Sequence, residues 1–240
     1  MNPELIKRFA TDLQVMGIVI SPKQEQMFER YYTLLVEWNE KMNLTAITEK
    51  EEVYYKHFYD SLCLVRIVDM DNISTLIDIG TGAGFPGLPL KILFPKVQIT
   101  LLDSLSKRTK FLNKVIEELQ LDNITTIHGR AEDFAKQKDY REQYDICVSR
   151  AVANLSTLSE YCLAFVKKEG YFVSYKSIDI DDEMKSAENA IEILGGKIDR
   201  IEQFYYQNNE IGRLLVKIKK VEATPLKYPR KSGIPEKKPL

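Results

Sequence analysis

The chain has 240 residues, 44% of them hydrophobic, which is enough for one large domain or for a core domain with an appendage. Its apolar runs fall short of the roughly 18 residues that a membrane-spanning helix requires. The formal net charge of −1 argues mildly against a protein that holds nucleic acid by bulk positive charge, although local basic clusters can override that average.

Cysteine usage and the N-terminus indicate the cellular compartment. Cys63, Cys147 and Cys162 form no C-x-x-C pair and have no histidine nearby at metal-ligand spacing, so we expect no metal site. The charged, amphipathic N-terminus lacks the basic-then-apolar pattern of a secretion signal. Sparse cysteines fit a reducing compartment, and we therefore expect a cytoplasmic protein, with nothing that demands more than a monomer.

The first 70 residues predict a helical extension. Ser21-Pro22-Lys23-Gln24 has the N-cap, the first helical residue and the closing side chain of a capping box. Apolar residues then recur at spacings of three and four from Met27 to Trp38, which predicts a helix with one buried face. We expect a break near Asn43-Leu44-Thr45 and a second helical stretch from about Glu51 to Val68.

Strands alternate with helices after residue 72, which predicts a parallel sheet covered on both faces. The predicted strands are Thr75–Ile79, Val97–Asp103, Ile124–His128, Tyr144–Ser149 and Tyr171–Tyr175. The predicted helices are Leu88–Phe94, Lys107–Leu119, Leu155–Val166 and Met184–Leu194. A hairpin of Lys197–Tyr206 and Arg213–Lys219 is expected to add an antiparallel edge, and the Pro- and Lys-rich residues 223–240 are expected to lie on the surface as a tail.

A glycine-rich segment, Asp78-Ile79-Gly80-Thr81-Gly82-Ala83-Gly84-Phe85-Pro86-Gly87, follows the first strand and opens a helix. Gly82, Gly84 and Gly87 fit the dinucleotide pattern G-x-G-x-x-G, so that kind of site has to be considered. Pro86, however, removes one of the helix N-terminal donors that a diphosphate needs. Asp78 would repel a diphosphate but suits a sulfonium with its amino group. The loop therefore favours S-adenosylmethionine over a dinucleotide.

Two more segments predict contacts to the rest of that cofactor. Asp103 ends the second strand, where a carboxylate can accept both hydroxyls of a ribose, although NAD carries the same ribose. Ala131-Glu132 follows the third strand, at the usual position of contacts to an adenine edge.

The end of the fourth strand, Asp145-Ile146-Cys147-Val148-Ser149-Arg150, restricts the methyl acceptor. It lacks the Pro-Pro-aromatic loop that orients an exocyclic amine, and Cys147 lies inside the strand rather than beyond it. Without a dedicated base or nucleophile, an acceptor such as guanine N7 fits, because it has a lone pair and no proton to lose. Arg150 either orients the guanine, contacts the donor, or pairs with Asp78 or Glu132. His57 and His128 are poor general-base candidates.

Ordered motifs over nearly the whole chain resemble one known family, the bacterial 16S rRNA guanine-N7 methyltransferase G family, also called glucose-inhibited division protein B. The motifs are Trp38-Asn39, Asn43-Leu44-Thr45, His57 with Asp60-Ser61-Leu62, Asp78 to Gly87, Leu102-Asp103-Ser104 with Lys107-Arg108, Arg130-Ala131-Glu132, Ser149-Arg150-Ala151-Val152-Ala153, and Tyr228-Pro229-Arg230-Lys231 through Lys238-Pro239-Leu240. Each motif is weak alone, but their combination in this order is specific. The tail departs from the pattern at Ser232 to Glu236.

The resemblance implies a class I S-adenosylmethionine-dependent methyltransferase with a mostly parallel, seven-stranded Rossmann-like sheet and helices on both faces. Residues 1–70 would be a helical N-terminal extension, 71–222 the core and 223–240 a basic tail. The resemblance also implies methylation of guanine N7 in the decoding-centre loop of 16S rRNA. The implied donor contacts are Gly80, Phe85, Ala131, Glu132 and Arg150.

An RNA substrate requires a basic surface, and two clusters are candidates for it. Lys107 and Arg108 begin a helix near the cofactor edge of the sheet, and the tail carries Arg230, Lys231, Lys237 and Lys238. A solvated tail without phosphate contacts explains the tail charge equally well. A small-molecule methyltransferase on the same fold, and a protein that binds S-adenosylmethionine or RNA without turnover, are the alternative functions.

Overall fold

Seven strands form one sheet in the computed structural model, which describes residues 3–150, 153–178, 180–206 and 211–240. They are β1 (Thr75–Ile79), β2 (Gln98–Asp103), β3 (Ile124–His128), β4 (Tyr144–Arg150), β5 (Val166–Lys176), β6 (Gly196–Tyr206) and β7 (Ile211–Lys220). Their order is β3-β2-β1-β4-β5-β7-β6; β1 to β5 pair in parallel, and β7 pairs antiparallel with β5 and β6. The predicted α/β class with a mostly parallel sheet is confirmed.

Helices cover both faces of the sheet. They are α1 (Pro3–Val15), α2 (Pro22–Met42), α3 (Lys50–Glu52), α4 (Asp60–Leu62), α5 (Gly87–Leu93), α6 (Ser106–Glu118), α7 (Ala131–Phe134), α8 (Leu155–Cys162), α9 (Asp181–Ile193) and α10 (Ile234–Lys237). The predicted capping box at the start of α2 is present, with Ser21 and Gln24 each bonding the backbone N–H of the other. Within the described ranges, no helix has both the length and the apolar character of a membrane span.

The predicted second N-terminal helix is a run of helical segments rather than one α-helix. A π-helix, Val53–Tyr59, lies between α3 and α4, and a 3₁₀ turn over Cys63–Arg66 follows. Segments of π-helix are rare and are frequently found at functional sites. This one carries His57 into the protein interior beside the glycine loop, as described below.

Strand alternation divides the core between the two faces. Leu76 of β1 belongs to the cluster that includes the N-terminal helices, whereas its neighbour Ile77 faces the cluster beneath α8 and α9. The N-terminal helices bury Phe9, Phe28 and Phe58 in the first cluster. They therefore share a core with one face of the sheet, and this places the loop after α2 against the ends of β1, β2 and β4.

The predicted C-terminal hairpin is confirmed as β6 and β7, which add the expected antiparallel edge, whereas the tail departs from its expectation. β7, and not β6, lies next to β5, because Leu215, Val216 and Ile218 of β7 are buried while most of β6 is exposed. Four tail residues are also buried, so the expectation that the tail only lies on the surface is wrong for them: Thr224, Tyr228, Pro229 and Pro235.

Candidate active site

A cavity of about 400 Å³ opens at the carboxyl ends of β1, β2 and β4. This volume falls in the range of roughly 300–1,000 Å³ that is usual for small-molecule sites. Open α/β sheets place ligands at this end of their strands. The lining residues are Leu44, Thr45, His57, Gly80, Thr81, Gly82, Ala83, Phe85, Asp103, Ser104, Arg108 and Arg150.

The glycine loop forms the floor of this cavity and needs glycine at two of its lining positions. Gly80 and Gly82 have φ angles of 69° and 63°, in the left-handed region that glycine adopts without strain. The Gly82 N–H donates to Asp103 Oδ2 at 2.9 Å. A Cβ at Gly82 would have nothing nearer than Gly80 O at 4.0 Å, so its open side admits a closely approaching ligand. This fits the prediction for Gly80 and Gly82.

Gly84, also predicted to contact the cofactor, serves packing instead. Its φ is 101°, and a Cβ there would lie 2.4 Å from Leu88 Cδ1 and 2.7 Å from the Tyr31 hydroxyl. Tyr31 is fully buried and stacks on Phe85, with their ring centroids 5.5 Å apart. Gly84 thus lets α2 approach the loop, and the expectation of a cofactor contact is corrected.

The expectation that Asp78 faces the sulfonium is also corrected, because Asp78 is buried beneath the glycine loop. Its Oδ2 accepts hydrogen bonds from Thr81 Oγ1 at 2.7 Å and from the Gly87 N–H at 2.8 Å. Its side chain is fully buried and does not line the cavity. Burial raises the pKa of Asp78 from 3.8 to about 7. Asp78 therefore fixes the loop rather than contacting a ligand.

This raised pKa predicts a pH dependence of stability. Between about pH 4 and 7 the native state binds more protons at Asp78 than the unfolded state, so stability falls as the pH rises through this window. The Asp78→Asn variant lacks this titration. Between pH 5 and 7, the free energy of unfolding of wild type should decrease by about 2 kcal/mol relative to that of Asp78→Asn, which corresponds to a difference of roughly 5 °C in Tm.

Thermal unfolding at several pH values measures this difference. Asp139→Asn, at an exposed position, is the matched control and should follow wild type at every pH. Parallel curves for wild type and Asp78→Asn would contradict the assignment of the raised pKa to Asp78.

Asp103 is buried in the cavity wall and accepts several hydrogen bonds from the residues around it. Besides the Gly82 N–H, its carboxylate accepts from the Leu105 N–H at 2.9 Å and from Arg108 Nη1 at 3.2 Å. A carboxylate has about four acceptor sites, so at least one remains for a ribose hydroxyl. The position of Asp103 agrees with the prediction. The hydrogen bond from Arg108 also holds the Asp103 carboxylate in place.

Ala131 and Glu132 do not line the cavity. They begin α7, three residues after His128, which lies opposite Asp103 in the register of β2 and β3. Glu132 is buried, and its Oε1 accepts a hydrogen bond from the Gly233 N–H of the tail at 3.3 Å. The structure thus places both residues just after the strand that neighbours β2, with Glu132 bonded to the tail.

Arg150 pairs with Asp60, and neither Asp78 nor Glu132 is its partner. Its Nη1 lies 2.7 Å from Asp60 Oδ2, and its guanidinium carbon lies 5.0 Å from the centre of the Phe85 ring. Asp60 is 1% exposed, and its other oxygen accepts from Arg213 Nε at 2.7 Å and from the Tyr206 hydroxyl at 3.2 Å. One buried carboxylate therefore joins the N-terminal helices to β4, β6 and β7. Ala151 and Val152 of the Arg150 motif lie outside the described residues.

His57 is the site residue that the sequence interpretation missed. Its imidazole stacks on Phe85, with centroids 4.4 Å apart, and its Nε2 lies 2.9 Å from Thr45 Oγ1. Burial and the neighbouring Arg150 lower the pKa of His57 to about 3. The available signal was the spacing of His57 and Asp60, which places both on one face of a helical turn.

Comparisons with known proteins agree with this arrangement. A family model described as rRNA small subunit methyltransferase G matches residues 24–211. The chain belongs to the rRNA small subunit methyltransferase G family. The family's protein from Bacillus subtilis (strain 168) is 51% identical over 235 residues, covering 98% of each chain. The one from Desulforamulus reducens is 53% identical over 225 residues, covering 94% of each. The predicted class, an S-adenosylmethionine-dependent methyltransferase, is confirmed.

Solved structures support the fold class at low sequence identity. TYW2 from M. jannaschii, solved in complex with AdoMet, is 14% identical with a TM-score of 0.54, over 73% of this chain and 80% of that one. YcgJ from Bacillus subtilis is also 14% identical, with a TM-score of 0.53, over 70% of this chain and all of that one.

Proposed function

We propose that this protein transfers a methyl group from S-adenosylmethionine to guanine N7 in the decoding-centre loop of 16S rRNA. Beyond family membership, the observation that carries the proposal is that no described residue lining the cavity is placed as a base or nucleophile for the acceptor. The one carboxylate among those described residues, Asp103, already accepts from two backbone N–H groups and Arg108. No cysteine lines it, and His57, with its pKa of about 3, is too weak a base to deprotonate an amine. Guanine N7 needs neither group, so alignment of its lone pair suffices.

The residues of the cavity fit the methyl donor. When bound, S-adenosylmethionine supplies an electrophilic methyl group on a sulfonium. The backbone of Gly80 and Gly82 and the ring of Phe85 would surround it, while Asp103 accepts from a ribose hydroxyl. Ala131 and Glu132 would bound the adenine side. Arg150, fixed by Asp60, would orient the reacting groups beside Phe85.

The RNA surface that we propose is smaller than the sequence alone predicted. Lys107, Lys231, Lys237 and Lys238 are exposed and remain proposed phosphate contacts. Arg230, however, pairs with Glu160, which is 0% exposed, through contacts at 2.6 to 3.1 Å. Its guanidinium anchors the tail to α8, and Arg108 is likewise paired, with Asp103, so neither arginine is among the proposed RNA contacts. We further propose that the protein acts as a cytoplasmic monomer.

Reversing the charge of Lys107 and Arg108 separately should have two different effects. Lys107→Glu is expected to lower RNA affinity about threefold or more while leaving donor affinity intact, since Lys107 Nζ contacts only the Met42 carbonyl within the described chain. Arg108→Glu places a carboxylate beside Asp103, so donor affinity should also fall, about tenfold. Calorimetry for S-adenosylmethionine and filter binding for RNA measure both. Equal effects of the two changes on donor affinity would contradict these roles.

The decisive experiment combines label transfer with chemical cleavage. Purified protein is incubated with tritiated S-adenosylmethionine and unmodified small-subunit RNA, free and in particles, and the RNA is then treated with borohydride and aniline, which cleave at N7-methylated guanine. Label with a single new cleavage in the decoding-centre loop supports the proposal. Label without cleavage overturns the N7 assignment. The absence of label in RNA, with donor binding intact, favours a small-molecule substrate or binding without turnover.

A further inference from the structure

The loop that follows α2 presents Thr45 to the cavity in a fixed position. The Asn39 side-chain carbonyl accepts hydrogen bonds from the Leu44 and Thr45 N–H groups, at 2.6 and 2.9 Å. Asn43, the capping residue that follows α2, takes the left-handed conformation with a φ of 50°. Thr45 lies in the cavity wall together with His57 and Phe85. Its hydroxyl is therefore held by the backbone on the side of the cavity that the N-terminal extension supplies.

Two nitrogen atoms of the protein lie within hydrogen-bond distance of the Thr45 hydroxyl oxygen. The Ile47 N–H donates to Thr45 Oγ1 at 3.1 Å, and His57 Nε2 lies 2.9 Å from the same oxygen. A threonine hydroxyl has two acceptor sites and one proton. If His57 carries its proton on Nε2, both acceptor sites are used and only the hydroxyl proton remains for another partner.

Arg150 determines this tautomer of His57. Its Nη2 lies 3.3 Å from His57 Nδ1, and a guanidinium can only donate, so Nδ1 accepts and Nε2 carries the proton. The Lys56 carbonyl also lies 3.2 Å from Nδ1, but a proton on Nδ1 would point at Arg150 Nη2, which has no acceptor. The opposite tautomer would turn two donors toward each other. The proton position is inferred from these partners.

We propose that the Thr45 hydroxyl is a specificity-determining group, held as a hydrogen-bond donor to the O6 carbonyl of the guanine that is methylated. This inference rests on the proposed function and names the group that selects the base. On the edge that carries N7, guanine presents the O6 acceptor, whereas adenine presents an amino donor in its place. A hydroxyl whose two lone pairs are already used can donate its proton to the O6 acceptor of guanine. Opposite adenine, the same hydroxyl would face the amino group, which is a second donor. His57 acts through Thr45 as a positioning residue.

The test compares the methylation rates of different bases at one RNA position, the position where methylation by wild type leads to aniline cleavage. Reconstituted subunits carry guanosine, inosine or 2,6-diaminopurine there; inosine keeps O6, and 2,6-diaminopurine replaces it with an amino group. We expect wild type to methylate inosine at least tenfold faster than 2,6-diaminopurine. Thr45→Val should lose about tenfold in kcat/KM on guanosine and most of that discrimination, with S-adenosylmethionine affinity unchanged. Thr45→Ser, which keeps the hydroxyl, should retain both.

Each other outcome overturns the inference. Wild type that accepts 2,6-diaminopurine as readily as inosine shows that O6 is not selected, a result that does not depend on the folding of any variant. If Thr45→Val discriminates between inosine and 2,6-diaminopurine as well as wild type does, the hydroxyl does not select the base. The same conclusion follows if this variant loses S-adenosylmethionine affinity but keeps its discrimination. If wild type gives no aniline cleavage with guanosine, the proposed function itself fails, and the inference fails with it.

Discussion

Replacing Gly82 with aspartate is expected to abolish donor binding and methyl transfer together. The Gly82 N–H donates to Asp103, and the side of Gly82 that a Cβ would occupy is open toward the cavity. An aspartate side chain there would fill the space that a ligand must enter and would bring a second carboxylate close to Asp103. Two such charges a few ångströms apart repel each other in a partly buried site. Calorimetric affinity for S-adenosylmethionine should fall at least a hundredfold.

Two matched variants separate charge, volume and backbone strain. Gly82→Asn has the shape of the aspartate without its charge, and asparagine tolerates the φ of 63° better than most residues. Gly82→Ala adds only a methyl group, at a backbone cost of about 1–2 kcal/mol. We expect affinity to decrease in the order Gly82, Ala, Asn, Asp. Methyl transfer that survives Gly82→Asp would place the cofactor site elsewhere.

Removing the carboxylate of Asp60 is expected to be the most destabilising single change among the charged residues of the site. Asp60→Ala leaves Arg150 and Arg213 facing each other without compensation in a site that is largely closed to water. Removing one partner of a buried ion pair costs about 3–5 kcal/mol. For a chain of this size, the loss corresponds to roughly 10 °C in Tm. Methyl transfer should also fall, since Arg150 loses the contact that fixes it beside Phe85.

Urea denaturation of the full chain measures this cost. Glu202→Ala is the control, because its partner Arg200 is half-exposed and the loss of a surface pair contributes at most about 1 kcal/mol. Asp60→Asn, which keeps an acceptor but no charge, should fall between wild type and Asp60→Ala. If Asp60→Ala is no less stable than Glu202→Ala, then Asp60 does not join the N-terminal extension to the sheet.

Internal ion pairs limit which basic residues can contact RNA. Arg108, Arg150, Arg213 and Arg230 each pair with a buried acid inside the protein. The exposed lysines near the site and on the tail remain available to contact RNA phosphates. Internal pairing does not change the net charge of −1, so RNA contacts depend on where the exposed lysines lie and not on the charge of the whole chain.

The sequence by itself determined the order of the main strands and helices and the presence of the cofactor loop after β1. β1 and β3 have the predicted bounds, and the capping box at Ser21 is formed as expected, because strand alternation and helix capping depend on near neighbours in the chain. The motif order likewise identified the family. Local patterns were also sufficient to place Gly80, Gly82 and Asp103 at the cavity, because the carboxyl ends of the strands form the ligand-binding edge in any such sheet.

Only the tertiary structure decided which side chains face the cavity and which support it. Asp78 lies on the same side of β1 as Leu76, so it points beneath the loop, and Gly84 makes room for Tyr31 from a helix more than 50 residues earlier in the chain. The partner of Arg150 and the role of His57 depend on a π-helix and on contacts between residues about 90 positions apart. Such contacts are set by the packing of the N-terminal helices on the sheet, and no local period in the sequence encodes that packing.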